Sequence, residues 1–186
     1  MSTFGCPTPT QRWGRFFYPS LARIGKFCRM AIMKDKDGTT IVQNGDPVLR
    51  GIAQKVELKD IGSKKLNDIL LRMKVALDRE GDGVAIAAPQ IGVPLAIFIV
   101  SHRAFELENE EETDRDAKKV EEKDMVVINP EITKLSRKKV KVPEGCLSVR
   151  WLYGNTVRHE KATVRGIDEN GKSFTYGGSG LIAQIF

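Results

Sequence analysis

One amphipathic segment, Ser63–Glu80, constrains the fold of this chain more than any other feature of its sequence. Its apolar side chains start at Leu66 and recur at i+3, i+4, i+7 and i+11, so that they form a single stripe at helical spacing. Ser63 is a favourable N-cap, and Gly81 stands where a C-terminal glycine is common. The segment therefore predicts a helix with one buried face.

The other apolar runs before residue 130 have the length of strands. Ile41–Val42 predicts a short strand, and Val93–Val100 predicts a buried one. Met125–Ile128 predicts a third strand, which Asn129-Pro130 is expected to end.

The last part of the chain predicts a hairpin and the start of a helix. Asn170-Gly171 lies between the strand-like runs Lys161–Asp168 and Ser173–Tyr176, and both of its residues tolerate the positive φ of a hairpin turn. Leu181–Phe186 predicts the first turns of an apolar helix, and the sequence stops within it.

Composition excludes several classes of protein. The 186 residues are 41% hydrophobic and 29% charged, which fits one globular domain, and no apolar run approaches 18 residues. Cys6, Cys28 and Cys146 form no Cys-x-x-Cys pair and leave one cysteine over, which excludes a disulfide framework and favours a reducing compartment.

The net charge of +6 is unevenly distributed. Residues 1–36 hold seven bases and one acid, whereas residues 106–124 hold four bases and ten acids. No basic groove with interleaved aromatic residues stands out elsewhere, so nucleic-acid binding is a weak alternative. We expect Glu106–Asp124 to form a solvated, partly disordered hairpin excursion.

Residues 1–33 differ in composition from the rest of the chain. They contain Arg, Ser, Thr and aromatic residues but no acid, which fits an organellar transit peptide. The alternatives are a disordered tail, or a start of the protein at Met30 or Met33. In each case the predicted domains are this basic extension and a domain over residues 34–186.

Two segments contain candidate site residues. In Gly83–Gly92, small residues at alternate positions allow close backbone approach, and the Gln90 amide can donate to a substrate oxygen. The same pattern also fits a tight connection packed against the core. In Glu144–Ser148, Cys146 fits a metal ligand, a nucleophile or a small core residue.

The two histidines give weaker signals. His159-Glu160 resembles half of a His-Glu-x-x-His zinc motif, but Thr163 stands where the second histidine is required. We expect His159 to face solvent on a strand, and His102 to lie in a loop.

Taken together and in this order, the motifs resemble those of the peptide deformylase family. Gly83–Gln90 (GVAIAAPQ) is similar to its first motif, Gly-x-Gly-x-Ala-Ala-x-Gln, and Glu144–Ser148 (EGCLS) matches its second motif at all five positions. Asp46–Arg50 resembles the opening segment of the family, and Val164–Tyr176 resembles the hairpin after the second motif. The resemblance implies an α+β fold in which antiparallel or mixed sheets pack around a central helix.

The sequence departs from the family pattern at two places. Ala85 replaces the second glycine of the first motif, which is tolerable where φ is negative. The third motif, His-Glu-x-x-His, is absent, although Gly180–Phe186 resembles the segment that leads into it. On this resemblance the central helix is cut short, the chain is C-terminally incomplete, and it carries one of three expected metal ligands.

The resemblance implies a metal-dependent hydrolase that removes the formyl group from N-formylmethionine of nascent polypeptides. Cys146 would be the thiolate ligand of one divalent metal, with Fe(II) the first choice and zinc, nickel or cobalt the alternatives. The Leu147 N–H and the Gln90 amide would hold the oxyanion of the tetrahedral intermediate. The substrate would be bound by Gly83, Val84 and Ala85 through their backbone, and by Glu144 and Gly145 around the methionine side chain.

The resemblance also implies partners and a location. The partners would be N-formylmethionyl nascent peptides and, transiently, the ribosome, with no specific nucleic acid and no membrane. The location would be the bacterial cytoplasm, or a mitochondrion or plastid if residues 1–33 are a transit peptide. The alternatives are a truncated, catalytically inactive remnant without the His-Glu-x-x-His ligands and, less favoured, a basic RNA- or ribosome-associated module.

Overall fold

A computed structural model describes residues 37–111 and 123–186, which belong to one compact unit, Lys34–Phe186. The basic extension therefore lies outside the described residues. The helices are α1 (Lys64–Asp78), α2 (His102–Glu111) and α3 (Gly180–Ile185). The strands are listed in chain order: β1 (Ala85–Ala87), β2 (Ile97–Val100), β3 (Met125–Leu135), β4 (Lys139–Gly145), β5 (Tyr153–His159), β6 (Lys161–Ile167) and β7 (Ser173–Ser179).

The strands form two antiparallel sheets. Five strands pair in the order β1-β2-β3-β6-β7, and β4 pairs with β5 in a separate two-stranded sheet. Together with the three helices they confirm the expected α+β class with antiparallel sheets. None of the helices in the described part of the chain is long and apolar enough to cross a membrane.

The two faces of the larger sheet bury different helices, because successive side chains of a strand point to opposite sides. Ile97 and Ile99 of β2 pack in the cluster that contains the apolar stripe of α1. Val100 packs on the other face with Phe105 of α2 and Ile182 of α3. The side chains of β2 therefore alternate between two apolar layers, one shared with α1 and the other with α2 and α3.

Helix α1 confirms the predicted amphipathic helix. The Ser63 hydroxyl accepts a hydrogen bond from Leu66 N at 3.2 Å, and the predicted stripe is buried. Gly81 is not its cap: the helix ends at Asp78 with Arg79 in right-handed helical conformation, and Gly81 is not among the positive-φ glycines of the described residues.

Three strand predictions need correction. Ile41–Val42 is not a strand: Val42 N donates to Gln90 O at 2.8 Å outside any ladder. β3 does not end at Asn129-Pro130, because Asn129 adopts a φ of 54° within a bulge and the strand continues to Leu135. Asn129 Oδ1 accepts a hydrogen bond from Val56 N, and Asn129 Nδ2 donates one to Val56 O, at 2.8 Å each. These two hydrogen bonds attach the bulge in β3 to the loop that contains Val56. The predicted strand Val93–Val100 is also shorter, since β2 begins at Ile97.

The prediction that Glu106–Asp124 forms a hairpin excursion is also partly wrong. Its first part, up to Glu111, belongs to α2, and residues 112–122 lie outside the described residues. His102 opens α2 rather than lying in a loop, and its backbone N–H donates to the Asp124 carboxylate at 3.0 Å. The hairpin of β6 and β7 around Asn170-Gly171 is confirmed, with Ile167 opposite Ser173. The start of the C-terminal helix is confirmed by α3.

Candidate active site

A cleft of about 450 Å³ opens between the segment before β1 and the β4–β5 hairpin. Its lining includes every residue that was assigned to a site from the sequence. These are the glycine-rich segment and the cysteine segment: Gly83, Val84, Ala85, Gln90, Glu144, Gly145, Cys146 and Leu147. The two motifs, more than fifty residues apart in sequence, thus form the two sides of one cavity.

Gln90 joins the two sides of the cleft. It lies in a short 3-10 helix, Ala88–Ile91, which ends at Gly92 with a φ of 78°. Its Oε1 accepts a hydrogen bond from Ala87 N at 2.8 Å, and its Nε2 donates to Ser148 Oγ at 3.3 Å. Since an amide NH₂ has two hydrogens, this arrangement leaves one donor for another acceptor in the cleft.

Cys146 starts the loop that connects β4 to β5. The loop turns back on itself through hydrogen bonds from Val149 N to Cys146 O at 2.9 Å and from Leu152 N to Val149 O at 3.3 Å. Cys146 is a free cysteine and is exposed, so the alternative of a small buried core residue is wrong. An accessible thiol in a cleft is suited to ligate or to react.

The residues after Cys146 anchor the loop to the body of the protein. The half-buried Leu147 side chain packs against the core cluster around α1, and its carbonyl accepts from Gln43 Nε2 at 3.0 Å. Ser148 is 3% exposed, and its carbonyl accepts from Asn44 N at 2.7 Å. Among the described residues the Leu147 N–H has no acceptor, so it remains available as a donor at the cleft.

Glu144 is held by an arginine across the small sheet. Arg158 Nε and Nη2 donate to its two carboxylate oxygens at 2.5 Å and 2.8 Å. These hydrogen bonds lower the pKa of Glu144 below its ordinary value, and the same pairing raises the pKa of Arg158. Glu144 is therefore ionised, and both of its carboxylate oxygens are already hydrogen-bonded to Arg158 at the cleft wall.

The segment Gly83–Ala85 forms the opposite wall. Val84 O accepts a hydrogen bond from Ser101 N at 2.9 Å, and Gly83 N donates to Glu80 O at 3.0 Å. A Cβ on Gly83 would lie 2.9 Å from Leu77 Cδ1, so a larger residue here would require the buried Leu77 side chain to shift. Ala85 is not among the positive-φ residues, which meets the condition for tolerating alanine in place of glycine.

Neither histidine lines the cleft. His159 pairs with Lys139 while Tyr153 pairs with Gly145, so His159 lies six residues, roughly 20 Å, along β5 from the cysteine end of the hairpin. It is half-buried, and its Nδ1 lies 2.5 Å from Ser136 O, so the solvent-facing prediction is wrong. The His102 ring contacts Asp124 at 3.0 Å.

A metal site is not completed by the described residues. Within residues 37–111 and 123–186, no three His, Cys, Asp or Glu side chains come together in a way that could hold a metal ion. Among the described residues that line the cleft, Cys146 is the single His, Cys, Asp or Glu side chain not engaged in an ion pair with arginine, since Glu144 pairs with Arg158 and Asp82 with Arg150.

Arg150 was not identified from the sequence. Its guanidinium contacts the carboxylate of Glu80 and donates to both oxygens of Asp82 at 3.1 Å and 3.2 Å, which joins the Cys146 loop to the end of α1. Arg150 lies 68 positions from Asp82 and 70 positions from Glu80 in sequence. No spacing rule connects residues so far apart, so a single sequence gives no signal for these contacts. Three exposed apolar side chains follow it at the mouth of the cleft: Trp151, Leu152 and Tyr153.

Comparisons with known proteins agree with this geometry. The family model described as Polypeptide deformylase matches residues 39–186. The chain is 36% identical over 168 residues to chloroplastic peptide deformylase 1A of Solanum lycopersicum, a match that covers 88% of this chain and 59% of that protein. It is 34% identical to a peptide deformylase of Dehalococcoides mccartyi, over 75% of this chain and 71% of the relative.

Solved structures give the same result. A class I type b peptide deformylase from Acinetobacter baumannii matches with a TM-score of 0.65 and 27% identity, over 78% of this chain and 86% of that one. The chain thus spans nearly three fifths of the tomato relative and most of the bacterial structure. Since the family model covers about four fifths of its residues, the chain belongs to the polypeptide deformylase family.

Proposed function

We propose that this chain supplies the substrate cleft of a peptide deformylase, which removes the formyl group from N-formylmethionine at the start of nascent polypeptides. The observation that carries the proposal is the hydrogen bond between Gln90 and Ser148, which brings the glutamine donor beside the Cys146–Leu147 segment in one cavity. No observation favours the inactive remnant over this function.

The cleft offers two donors for an oxygen that becomes negatively charged. They are the second hydrogen of Gln90 Nε2 and the Leu147 N–H, which come from opposite walls. Preorganised donors of this kind stabilise a tetrahedral oxyanion by about 2.7–4 kcal/mol each. Both are fixed in place, Gln90 by Ala87 N and Leu147 by its half-buried side chain packed against the core, so they need no reorganisation during the reaction.

The wall formed by Gly83–Ala85, which faces Cys146 across the cleft, fits an extended peptide. β1 pairs with β2 on one side, and in the described residues no strand covers its other edge. Gly83, Val84 and Ala85 would bind the substrate backbone as an added strand. Glu144, kept ionised by Arg158, and Gly145, with the Tyr153 ring against it, would limit the room for the first side chain.

Members of the family are metal-dependent. Cys146 would be the thiolate ligand in this chain, and two further ligands would have to come from outside the described residues. Fe(II) is the proposed metal, with zinc, nickel and cobalt as alternatives, because a thiolate with imidazole ligands accepts each of them.

Partners and location follow from the same function. The substrates would be N-formylmethionyl nascent peptides, met during transient association with the ribosome. Relatives include chloroplastic, mitochondrial and bacterial proteins. We propose the bacterial cytoplasm, with an organelle as the alternative if residues 1–33 act as a transit peptide.

The test separates binding from hydrolysis. The purified chain should bind formyl-Met-Ala-Ser more tightly than Met-Ala-Ser, measured by the chemical shifts of the Gln90 side-chain amide and the Leu147 N–H. Formate release is expected from a chain extended past Phe186 by a helix that carries His-Glu-x-x-His, loaded with Fe(II). Absence of formate release from that metal-loaded form, with the cleft shifts present, would overturn the assignment of the reaction.

A further inference from the structure

A second surface, which we call the basic end, lies where the β3–β4 and β5–β6 turns meet. It consists of residues 134–141 and 159–161. These residues include one acid, Glu160, and six bases: Lys134, Arg137, Lys138, Lys139, Lys141 and Lys161. Five of the six bases lie in the run Lys134–Lys141, and the fold brings Lys161 beside them from the other side of the β4–β5 hairpin.

Backbone and side-chain hydrogen bonds hold the two turns together. Ser136 N donates to Lys161 O at 2.9 Å, and Lys161 N donates to Ser136 Oγ at 3.0 Å. Glu160 N donates to Lys138 O at 3.0 Å. The basic end is therefore a fixed feature of the fold.

Most of its charge is not neutralised within the described residues. Glu160 pairs with Lys138. No ion pair is found in the described part of the chain for the remaining five bases, all of which are exposed: Lys134, Arg137, Lys139, Lys141 and Lys161. Such a concentration of like charge raises the local concentration of polyanions.

A second cleft, of about 340 Å³, opens at the basic end. Lys134 and Lys161 line it together with the hydroxyl-bearing residues Ser136, Thr163 and Ser179. Gly177 and Gly178 also line it, which leaves backbone accessible. Ammonium and hydroxyl groups around a shallow cleft suit phosphate and ribose oxygens.

We propose that the basic end docks on the phosphate backbone of RNA, without sequence specificity. RNA is favoured over a lipid bilayer because the exposed aromatic side chains that would insert into a membrane, Trp151 and Tyr153, lie at the opposite end of the β4–β5 hairpin. The same separation, roughly 20 Å, leaves the Cys146 cleft open while RNA is bound. The proposal does not depend on the deformylase assignment, since binding requires neither metal nor turnover.

The experiment measures the affinity of the full chain for a fluorescein-labelled 24-nucleotide RNA hairpin by fluorescence anisotropy, at KCl concentrations from 50 to 200 mM. The test variant replaces the five unpaired bases with glutamine: Lys134→Gln, Arg137→Gln, Lys139→Gln, Lys141→Gln and Lys161→Gln. The control variant removes the same charge from the N-terminal extension: Arg12→Gln, Arg15→Gln, Arg23→Gln, Lys26→Gln and Arg29→Gln. Circular dichroism checks that both variants are folded.

We expect the test variant to lose at least tenfold in affinity at 50 mM KCl and the control variant less than threefold. The dependence of log Kd on log salt should become shallower by about two or more in the test variant, because each released phosphate contact contributes about 0.7–0.9. An equal or larger loss in the control variant would assign RNA binding to the extension and overturn the proposal. Binding of the native chain to phosphatidylserine vesicles but not to RNA would also overturn it, in favour of a membrane surface.

Discussion

Arg158 of β5 donates two hydrogen bonds to the carboxylate of Glu144 on the paired strand β4, from Nε at 2.5 Å and from Nη2 at 2.8 Å. The Glu144 side chain is 20% exposed and that of Arg158 is 49% exposed. This pair fixes one wall of the Cys146 cleft to the strand behind it, and it does so in a manner that depends on pH.

Arg158→Ala should lower the free energy of unfolding at pH 7 by about 1 kcal/mol, the upper end for a partly exposed pair. Because the ion pair lowers the pKa of Glu144 in the folded state, its contribution is present at neutral pH and is lost as pH falls through that lowered pKa. Urea unfolding at pH 7 and at about pH 3 measures this. A difference between native and variant that stayed constant with pH would contradict the assignment. Lys139→Ala serves as the control, since Lys139 is an exposed residue of the same sheet with no ion pair in the described residues.

Gln90→Glu should separate the two functions of this side chain. The carboxylate keeps an acceptor for Ala87 N but loses the donor that faces Ser148 and the cleft. In the extended, metal-loaded form, we expect kcat to fall by roughly 10²–10³-fold with metal content unchanged. Gln90→Ala should lose the same activity and, in addition, about 1 kcal/mol of stability. Activity retained in either variant would remove Gln90 from the oxyanion site.

Cys146→Ala should abolish metal binding and formate release together in the extended form, since a thiolate ligand has no substitute among the described residues of the cleft. Cys28→Ala is the matched control and should change neither. The 186-residue chain alone should hold no stoichiometric iron or zinc by elemental analysis. Turnover by that chain would show that other side chains complete the site.

Arg150→Gln should loosen the Cys146 loop without unfolding the protein. The substitution removes the contacts with Glu80 and Asp82 that join the loop to α1. We expect faster hydrogen exchange at the loop amides of Val149 and Leu152, and a loss of roughly 0.5–1 kcal/mol in stability. Unchanged exchange at these amides, with the rest of the molecule also unchanged, would mean that the loop is held by Leu147 and Ser148 alone.

Gly178→Ala should destabilise the protein by about 1–3 kcal/mol, because the added methyl has no room. Its Cβ would lie 2.5 Å from Ile182 Cγ2 and 3.2 Å from Ala183 N, where β7 passes under α3. Gly154→Ala is the matched control, since nothing lies within 4 Å of a Cβ there. Equal unfolding midpoints for the two variants would mean that α3 can shift away from the sheet.

Local patterns in the sequence were sufficient for the elements whose stability is local. The stripe of α1 and the Asn170-Gly171 turn are set by residues a few positions apart, and both are confirmed. The bulge at Asn129 was not predictable in the same way, because its unusual φ is compensated by bonds to Val56, 73 positions away.

In the candidate site too, local sequence motifs were predictable and contacts between distant residues were not. Two motifs were sufficient to choose the residues that line the cleft, and the family resemblance supplied their roles. The charged contacts that hold the walls, between Arg150 and Asp82 and between Arg158 and Glu144, could not be inferred, since pairing of surface charges depends on tertiary approach. The position of His159, far from Cys146, likewise depends on the register of β4 and β5.

The shortness of β1 has a consequence for solubility. In the described residues β1 is an edge strand, paired with β2 on one side, and such an edge can pair with another copy of itself. β1 is three residues long, with Gly83 shortly before it and Pro89 shortly after it, and Pro89 has no N–H to donate. Too few backbone groups are in line to sustain a growing stack of strands, so this edge should contribute little to aggregation between copies of the protein.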